Sequence, residues 1–360
     1  MTSRCVIGLV RGEGSGPELV EAAMQVLQAI GNVSACAFET RWSPDMNPAL
    51  KADHLSEELA EFCGEIFSGD GAILAGAVGG RFVYELRRRF DLHYKFNPLR
   101  SYPELAKACR LKSPADPIDI LIVRENLEGI YQGETVEKIS DEGRQVAHTF
   151  TQGEKSVRAL LTVAAKAARE RRGTLAVVGK DSGLPKVHAL WRRCAVEIGK
   201  TSGVEVTLLD IDYAVYKLLQ EPEWFDVVAA PNCFGDILSD LGGVLAGSRG
   251  VTFGGSYSAE GRAVYQTNHG AAHDLARTDT ANPVGQIFAA AMMLREKFGL
   301  TSEAQMIEEA VRSVWRDGWR TRDLAEPGCR IAGTRQFAQL VVEQINPAAV
   351  RTCEAFSVTH

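Results

Sequence analysis

The sequence predicts an α/β protein built on a large, mostly parallel sheet. Three observations point there. Apolar runs of strand length alternate with helical patterns over residues 5–230, the chain opens on strand, glycine loop and helix, and no repeat, low-complexity tract or flexible linker interrupts the rhythm. Strand signals lie at 5–10, 71–77, 118–123, 175–178, 204–210 and 227–230, and helical ones at 17–30, 57–67, 155–170 and 190–200. Pro17 stands at the first helical position, where its missing N–H costs nothing. After Val251 the strand signal fades, and 282–298 and 303–319 read as closing helices. Residues 131–153 are polar and interrupted by glycines, with β-compatible stretches at 134–139 and 144–151, which predicts a protruding hairpin. An exposed hairpin edge needs covering, and a dimer interface would cover it.

Composition narrows the function. A chain of 360 residues, 45% hydrophobic and 24% charged, suits a soluble globular protein of two domains or one large α/β unit. A net charge of −6 with no Lys/Arg-dominated segment excludes a general nucleic-acid binder, so local basic clusters read as small-anion sites. The eight cysteines show no C-x-x-C or finger-like spacing, which predicts thiols in a reducing compartment rather than a zinc site or disulfide framework. No apolar run reaches the roughly 20 residues of a membrane helix, and no secretory pattern marks the N-terminus. The expected location is cytoplasmic, with no membrane partner.

The most informative stretch is Asn232-Cys-Phe-Gly-Asp236-Ile-Leu-Ser-Asp240, directly after an apolar run. Two carboxylates four residues apart on a helix repel each other, and a divalent cation is the natural neutraliser. Two aspartates and a third oxygen ligand suit Mg2+ or Mn2+. The loop Gly12-Glu13-Gly14-Ser15-Gly16-Pro17-Glu18 is not a dinucleotide fingerprint, because G-x-G-x-x-G needs glycine where Pro17 stands, and no Gly-Lys-Ser/Thr follows to make a P-loop. It reads as a tight turn into a helix N-terminus whose free N–H groups could face a ligand.

Five ordered motifs resemble the metal-dependent β-decarboxylating dehydrogenases, the isocitrate/isopropylmalate dehydrogenase family. The glycine loop resembles G-D-G-I-G-P-E, and Leu86-Arg87-Arg88-Arg89-Phe90-Asp91-Leu92 resembles L-R-x-x-x-D-L. Val123-Arg124-Glu125-Asn126 with Tyr131 is similar to V-R-E-N…Y, and the Asn232–Asp240 stretch to N-x-F-G-D-I-L-S-D. His269-Gly-Ala-Ala-His273-Asp274 with Ala281-Asn282-Pro283 is similar to H-G-S-A-P-D…A-N-P.

The resemblance implies an isopropylmalate dehydrogenase-like fold rather than a Rossmann fold: two interwoven α/β domains, a large mostly parallel sheet and a β-hairpin arm. Residues 1–96 with 253–360 would form the larger, cofactor-side domain, and 97–252 the smaller one, with the arm at about 132–153. It also implies NAD-dependent oxidative decarboxylation of a substituted malate. Asp212, Asp236 and Asp240 would hold Mg2+ or Mn2+, Lys180 would take the hydroxyl proton with Lys186 as the fallback, and Tyr131 would protonate the enol carbon. Asp212 thus carries both a catalytic and a metal role. Arg87 and Arg124 would bind the malate moiety, with Tyr84 at the side-group pocket. Gly14, His269, Gly270, Asp274 and Asn282 would bind the cofactor, and an acid at Asp274 favours the ribose diol of NAD over a 2′-phosphate. Active sites shared across a homodimer would place Lys180 and Asp212 in the partner's site.

Two departures bear on the substrate. The motif expected as A-N-[LV]-R-P reads Tyr94-Lys95-Phe96-Asn97-Pro98, so Asn97 occupies a substrate-binding arginine's place, and either Lys95 or Arg100 takes over the charge. The selector loop, Gly79-Gly-Arg81-Phe82-Val83-Tyr84, carries an arginine and a phenol where an isopropyl group would want aliphatic walls. The expected side group is therefore polar or anionic, as in isocitrate, homoisocitrate, tartrate or a phosphonomethylmalate. The alternative reading is a noncatalytic regulatory subunit of the same fold, since Asn97 and Ser182 depart from the family's motifs.

Overall fold

The computed structural model describes residues 4–34, 36–44, 54–78, 81–109 and 117–345. The chain runs β1 (Arg4–Val10), α1 (Gly16–Val33), β2 (Ala37–Trp42), α2 (Glu57–Ser68), β3 (Ala72–Ala75), α3 (Phe82–Arg89), β4 (Tyr94–Arg100) and β5 (Asp119–Glu125). The hairpin β6 (Glu134–Ser140) and β7 (Gly143–Thr149) follows, then α4 (Glu154–Arg169), β8 (Thr174–Gly179), α5 (Pro185–Ser202), β9 (Glu205–Asp210), α6 (Ile211–Gln220), β10 (Val227–Ala230) and α7 (Asn232–Leu245). The last part holds β11 (Phe253–Tyr257), β12 (Ala263–Thr267), α8 (Val284–Glu296), α9 (Thr301–Arg316), the two-residue strands β13 (Trp319–Arg320) and β14 (Arg330–Ile331), and α10 (Thr334–Ile345).

One ten-stranded sheet, ordered β2-β1-β3-β12-β11-β4-β5-β10-β8-β9, spans the molecule. Six of its pairings are parallel and three antiparallel, and the antiparallel ones sit together at β12-β11-β4-β5. The fading of the strand signal after Val251 was therefore misleading: β11 and β12 lie in mid-sheet. The sequence FGGSY carries too little alternation to announce a strand, because β11 is buried on both faces. The closing helices end earlier than their patterns do, at Glu296 and Arg316, and Trp319 turns into β13.

Packing explains why these segments settle as they do. In α1, Leu19, Ala23, Leu27 and Ile30 repeat at helical spacing and are all buried, each large side chain contributing roughly 1.5–3 kcal/mol. Helix α8 is buried on every side from Val284 to Leu294, so its one polar core residue must be satisfied. Gln286 donates to Ala75 O at 3.0 Å and accepts from Thr267 N at 3.3 Å. Two apolar cores draw their buried residues from 99–230 plus Leu238 and Leu245, and two others from 6–92 and 246–345 plus Leu105.

The hairpin β6–β7 stands off as its own two-stranded sheet, with every residue exposed, including Val136, Ile139 and Val146. Its base is clamped where Glu128 Oε2 accepts from Gly153 N at 2.6 Å and Gly129 N donates to Thr151 O at 3.1 Å. Seven cysteines are free thiols and Cys353 lies outside the described residues. Among the described residues no helix is long and apolar enough to cross a membrane.

Candidate active site

Arg124 lies at the end of β5, Asp236 and Asp240 follow β10, and Lys180 and Asp212 follow β8 and β9, all at the carboxyl ends of the strands, where ligands of open α/β sheets bind. Arg124 closes β5 and is only 4% exposed. Its Nε and Nη2 donate to Asn232 Oδ1 at 3.2 and 2.8 Å, and its Nη1 pairs with Asp236. Helix α7 starts at Asn232 and lies directly on this arginine: a Cβ at Gly235 would stand 2.9 Å from Arg124 Cγ. Glycine in the motif is a packing requirement here.

Arg87, from α3, is also buried, whereas Arg88 and Arg89 face solvent. Burial beside Arg124 lowers its affinity for the proton, yet a guanidinium stays charged at any working pH. Arg87 lies over the Tyr84 ring at 5.5 Å, Arg124 over the Tyr131 ring at 5.7 Å, and the two rings meet edge to face at 5.8 Å. The Tyr131 hydroxyl bonds with Cys233 and Asp236, and burial together with these neighbours raises its pKa, so it stays protonated. Arg81 is exposed at the start of α3; Gly79 and Gly80 lie outside the described residues.

Asp236 and Asp240 project from α7 one turn apart, with side chains 39% and 46% exposed. Burial raises the Asp240 pKa and the charge of Asp236 adds to it, against Arg249, which pairs with Asp240 at 3.0 Å. The repulsion expected from the spacing is present, and the pair offers two oxygen donors to a cation. Asp212 does not join them within one chain. It sits at the start of α6, where Lys180 Nζ donates to Asp212 Oδ1 at 2.7 Å and to Asp210 Oδ2 at 3.3 Å. Among the described residues no group of three side chains is set to hold a metal ion. The lowered pKa that a lysine base needs is also missing here: the bond to Asp212 raises the Lys180 pKa. Lys186, the fallback base, is exposed near the N-terminus of α5.

The cofactor-side residues form a second grouping. Gly14, at φ +55°, packs so closely on the opposite loop that a Cβ would stand 2.1 Å from Ala271 O, and Ser15 N donates to the same carbonyl at 2.8 Å. His269 Nδ1 lies 2.8 Å from Gly270 O, and burial lowers its pKa. Gly270 leaves an open face, with nothing within 4 Å of where a Cβ would stand. Ala272 is held in the left-handed region at φ +46°, a strained position of the kind that clusters at functional sites. Asp274 is exposed with no partner among the described residues. Asn282 is 6% exposed, its Oδ1 accepts from Val284 N and its Nδ2 donates to Asp323, each at 3.0 Å. Capping α8 and holding Asp323 account for both ends of its amide.

The place expected of an arginine is equally informative. Asn97 is fully enclosed and neither amide atom has a hydrogen-bond partner among the described residues. Sequence reasoning also assigned nothing to Asn232, Glu125 or Asn268. A helix-starting Asn after a buried strand signals a cap, but serving an arginine 108 residues away leaves no local sign.

Glu125 organises the loop that carries Tyr131. It is fully buried, its Oε1 accepts from Leu127 N at 2.7 Å and Glu128 N at 3.0 Å, and burial pushes its carboxyl up to about 7. A folded-state pKa above the unfolded value means the folded chain holds this proton more tightly. Stability from Glu125 is therefore present in full below the unfolded carboxyl pKa and is lost as pH rises to about 7, a difference of about 3 kcal/mol. Urea unfolding of Glu125→Gln at pH 5 and 7.5 is expected to show a difference between the two pH values smaller by roughly 2 kcal/mol than in wild type, since pH 5 already lies above the unfolded carboxyl pKa.

A model of the isocitrate/isopropylmalate dehydrogenase family matches residues 6–341. The chain belongs to the isocitrate/isopropylmalate dehydrogenase family. It is 35% identical over 352 residues to the 3-isopropylmalate dehydrogenase of Carboxydothermus hydrogenoformans, covering 93% of each chain. It is 33% identical to that of Aquifex aeolicus, covering 94% of this chain and 96% of the relative. Among solved structures, the isocitrate dehydrogenase from Methylococcus capsulatus superposes with a TM-score of 0.83 at 29% identity, over 95% of this chain and 99% of the other. As a member of the isocitrate/isopropylmalate dehydrogenase family, this protein is a decarboxylating dehydrogenase acting on a CH–OH group.

Proposed function

We propose that the protein catalyses NAD-dependent oxidative decarboxylation of a malate carrying a polar or anionic substituent, in active sites shared by two copies of the chain. The observation that carries this reading is the buried cluster of Arg87, Lys95 and Arg124 facing Asp236, Asp240 and Tyr131. It combines anion-binding cations, a carboxylate pair and a protonated phenol in one place. Tyr84, beside Tyr131, supports a polar side group.

The donor set fits a hard divalent cation, but only two of its three protein ligands come from this cluster. Asp236 and Asp240 of one chain and Asp212 of the partner subunit would hold it. When bound, Mg2+ or Mn2+ supplies Lewis acidity at the substrate's hydroxyl oxygen and adjacent carboxylate. Arg87 and Arg124 hold the carboxylates and fix the hydroxyl for hydride departure toward the cofactor. With Asp212 committed to a cation, Lys180 would lose its strongest partner and could serve as the base for the hydroxyl proton. Tyr131, kept protonated, delivers a proton to the carbon left by CO2.

A second copy is supported by three features. The arm exposes Ile139 and Val146 on one face, and isolated two-stranded hairpins are marginal in water. A pocket of about 60 Å³ beside Lys180 is walled by Ile130, Phe150, Leu184, Trp191 and Phe234. Lys180 and Asp212 stand outside the cluster they would serve. We assign the lobes as 1–96 with 253–360 and 97–252; the grouping of the apolar cores supports this division, with Leu105, Ala246 and Val251 packing into the core of the first.

The unpartnered, exposed Asp274 beside the Gly14–Ala271 contact supports NAD over NADP. Initial rates with the two cofactors test it. A preference of about a hundredfold or more in kcat/KM for NAD+ is expected, narrowed in Asp274→Lys. Equal use of NADP+ by wild type would sink this assignment.

A further inference from the structure

Strand periodicity decides which residue replaces the arginine absent at Asn97. Along β4, Lys95, Asn97 and Leu99 are buried on one face, while Tyr94, Phe96, Pro98 and Arg100 lie on the other. Arg100 therefore points away from Asn97, and it is engaged by Asp119 at 3.7 Å and Glu308 at 3.6 Å. Lys95 stands directly opposite Arg124 in the antiparallel register with β5, and directly opposed residues share a face.

We propose that Lys95 is the third cation of the substrate clamp, reaching the carboxylate site from two positions before the one where the family motif carries arginine. The proposal rests on the substituted-malate reading and deepens it. Lys95 is 4% exposed, and its ammonium makes one hydrogen bond among the described residues, to the neutral Asn268 Oδ1 at 2.7 Å. A buried ammonium held only by a neutral amide keeps unspent donors. Its neighbours share the deficit: Arg87 forms no ion pair among the described residues and its Nε is enclosed without a partner. Asp236 pairs with Arg124 and is the acid whose charge acts most on Arg87 and Lys95. These three basic groups face two carboxylates, Asp236 and Asp240, and burial beside the two arginines pushes the Lys95 pKa well down, so an anionic ligand is what would hold the lysine charged.

The strand beyond is cut back to admit the lysine. A Cβ at Gly254 of β11 would stand 2.9 Å from Lys95 Cε and 2.6 Å from Asn97 Oδ1. The short Asn97 and the bare Gly254 together leave the channel along which the Lys95 stem runs. Lysine also presents a compact point charge in place of a planar fork, so this clamp holds a carboxylate with less demand on its orientation.

Calorimetric titration of the whole protein with malate, the moiety common to all the candidate substrates, in the presence of Mg2+ tests the assignment. Lys95→Met is expected to weaken malate binding roughly 10- to 100-fold, the loss of one charge-assisted contact, while Arg100→Gln binds as wild type. Lys95→Gln keeps the hydrogen bond to Asn268 and serves if the Met variant does not fold. It is expected to weaken binding similarly. If wild type binds malate and both Lys95 variants bind it equally well, the clamp assignment is overturned and the substrate reading stands. If wild type takes up no malate, the substrate reading itself fails and the assignment falls with it.

Discussion

Asp236→Asn is expected to lower turnover by about a thousandfold or more while leaving the fold intact. Asp236 serves three partners at once: it pairs with Arg124, bonds the Tyr131 hydroxyl and sets the charge felt by Asp240. Asparagine keeps the shape and one acceptor but removes the negative charge, so cation binding suffers most. The fold survives because Arg124 keeps Asn232 Oδ1 at 2.8 and 3.2 Å, and a neutral acceptor remains at position 236. Steady-state rates across a Mn2+ titration, beside a thermal melt, separate the two effects. A melting temperature near wild type with a rate that added Mn2+ does not rescue is the expected pattern. Turnover within a few-fold of wild type would remove Asp236 from the metal site.

Mixing two dead variants is expected to restore activity. Lys180→Met and Asp236→Asn each disable a different half of the proposed site, and the structure keeps these halves in separate groups on one chain. In a hybrid dimer one site receives both substitutions and the other receives neither. Random pairing gives hybrids in half of the dimers, so about a quarter of wild-type activity should return after co-refolding. Activity that stays at the level of the parents would place both halves of the site within a single chain and contradict the shared arrangement.

Much of this fold was legible because buried parallel strands and amphipathic helices print their periods directly: β8, β10 and α4 fall within a few residues of their patterns. Strand β4 was not, since Pro98 argues against a central strand. It is tolerated because β11 pairs only with Tyr94, Lys95 and Phe96, which leaves Pro98 with β5 on one side alone. The residue types of the site were readable from its motifs, but the pairings were not. Arg124 meets Asp236 across 112 residues and Lys95 meets Asn268 across 173, and no local pattern encodes either. The choice between Lys95 and Arg100 stayed open for the same reason: it turned on the faces of a strand that the sequence had not revealed.

The most direct test of the central claim is NADH formation with NAD+ and Mn2+ across isocitrate, homoisocitrate, isopropylmalate, tartrate and phosphonomethylmalate, with released CO2 measured alongside. Metal-dependent NADH and CO2 in equal amounts, with a substrate bearing a polar or anionic side group favoured over isopropylmalate, is the predicted result. Preference for isopropylmalate, or NADH without CO2, would contradict it.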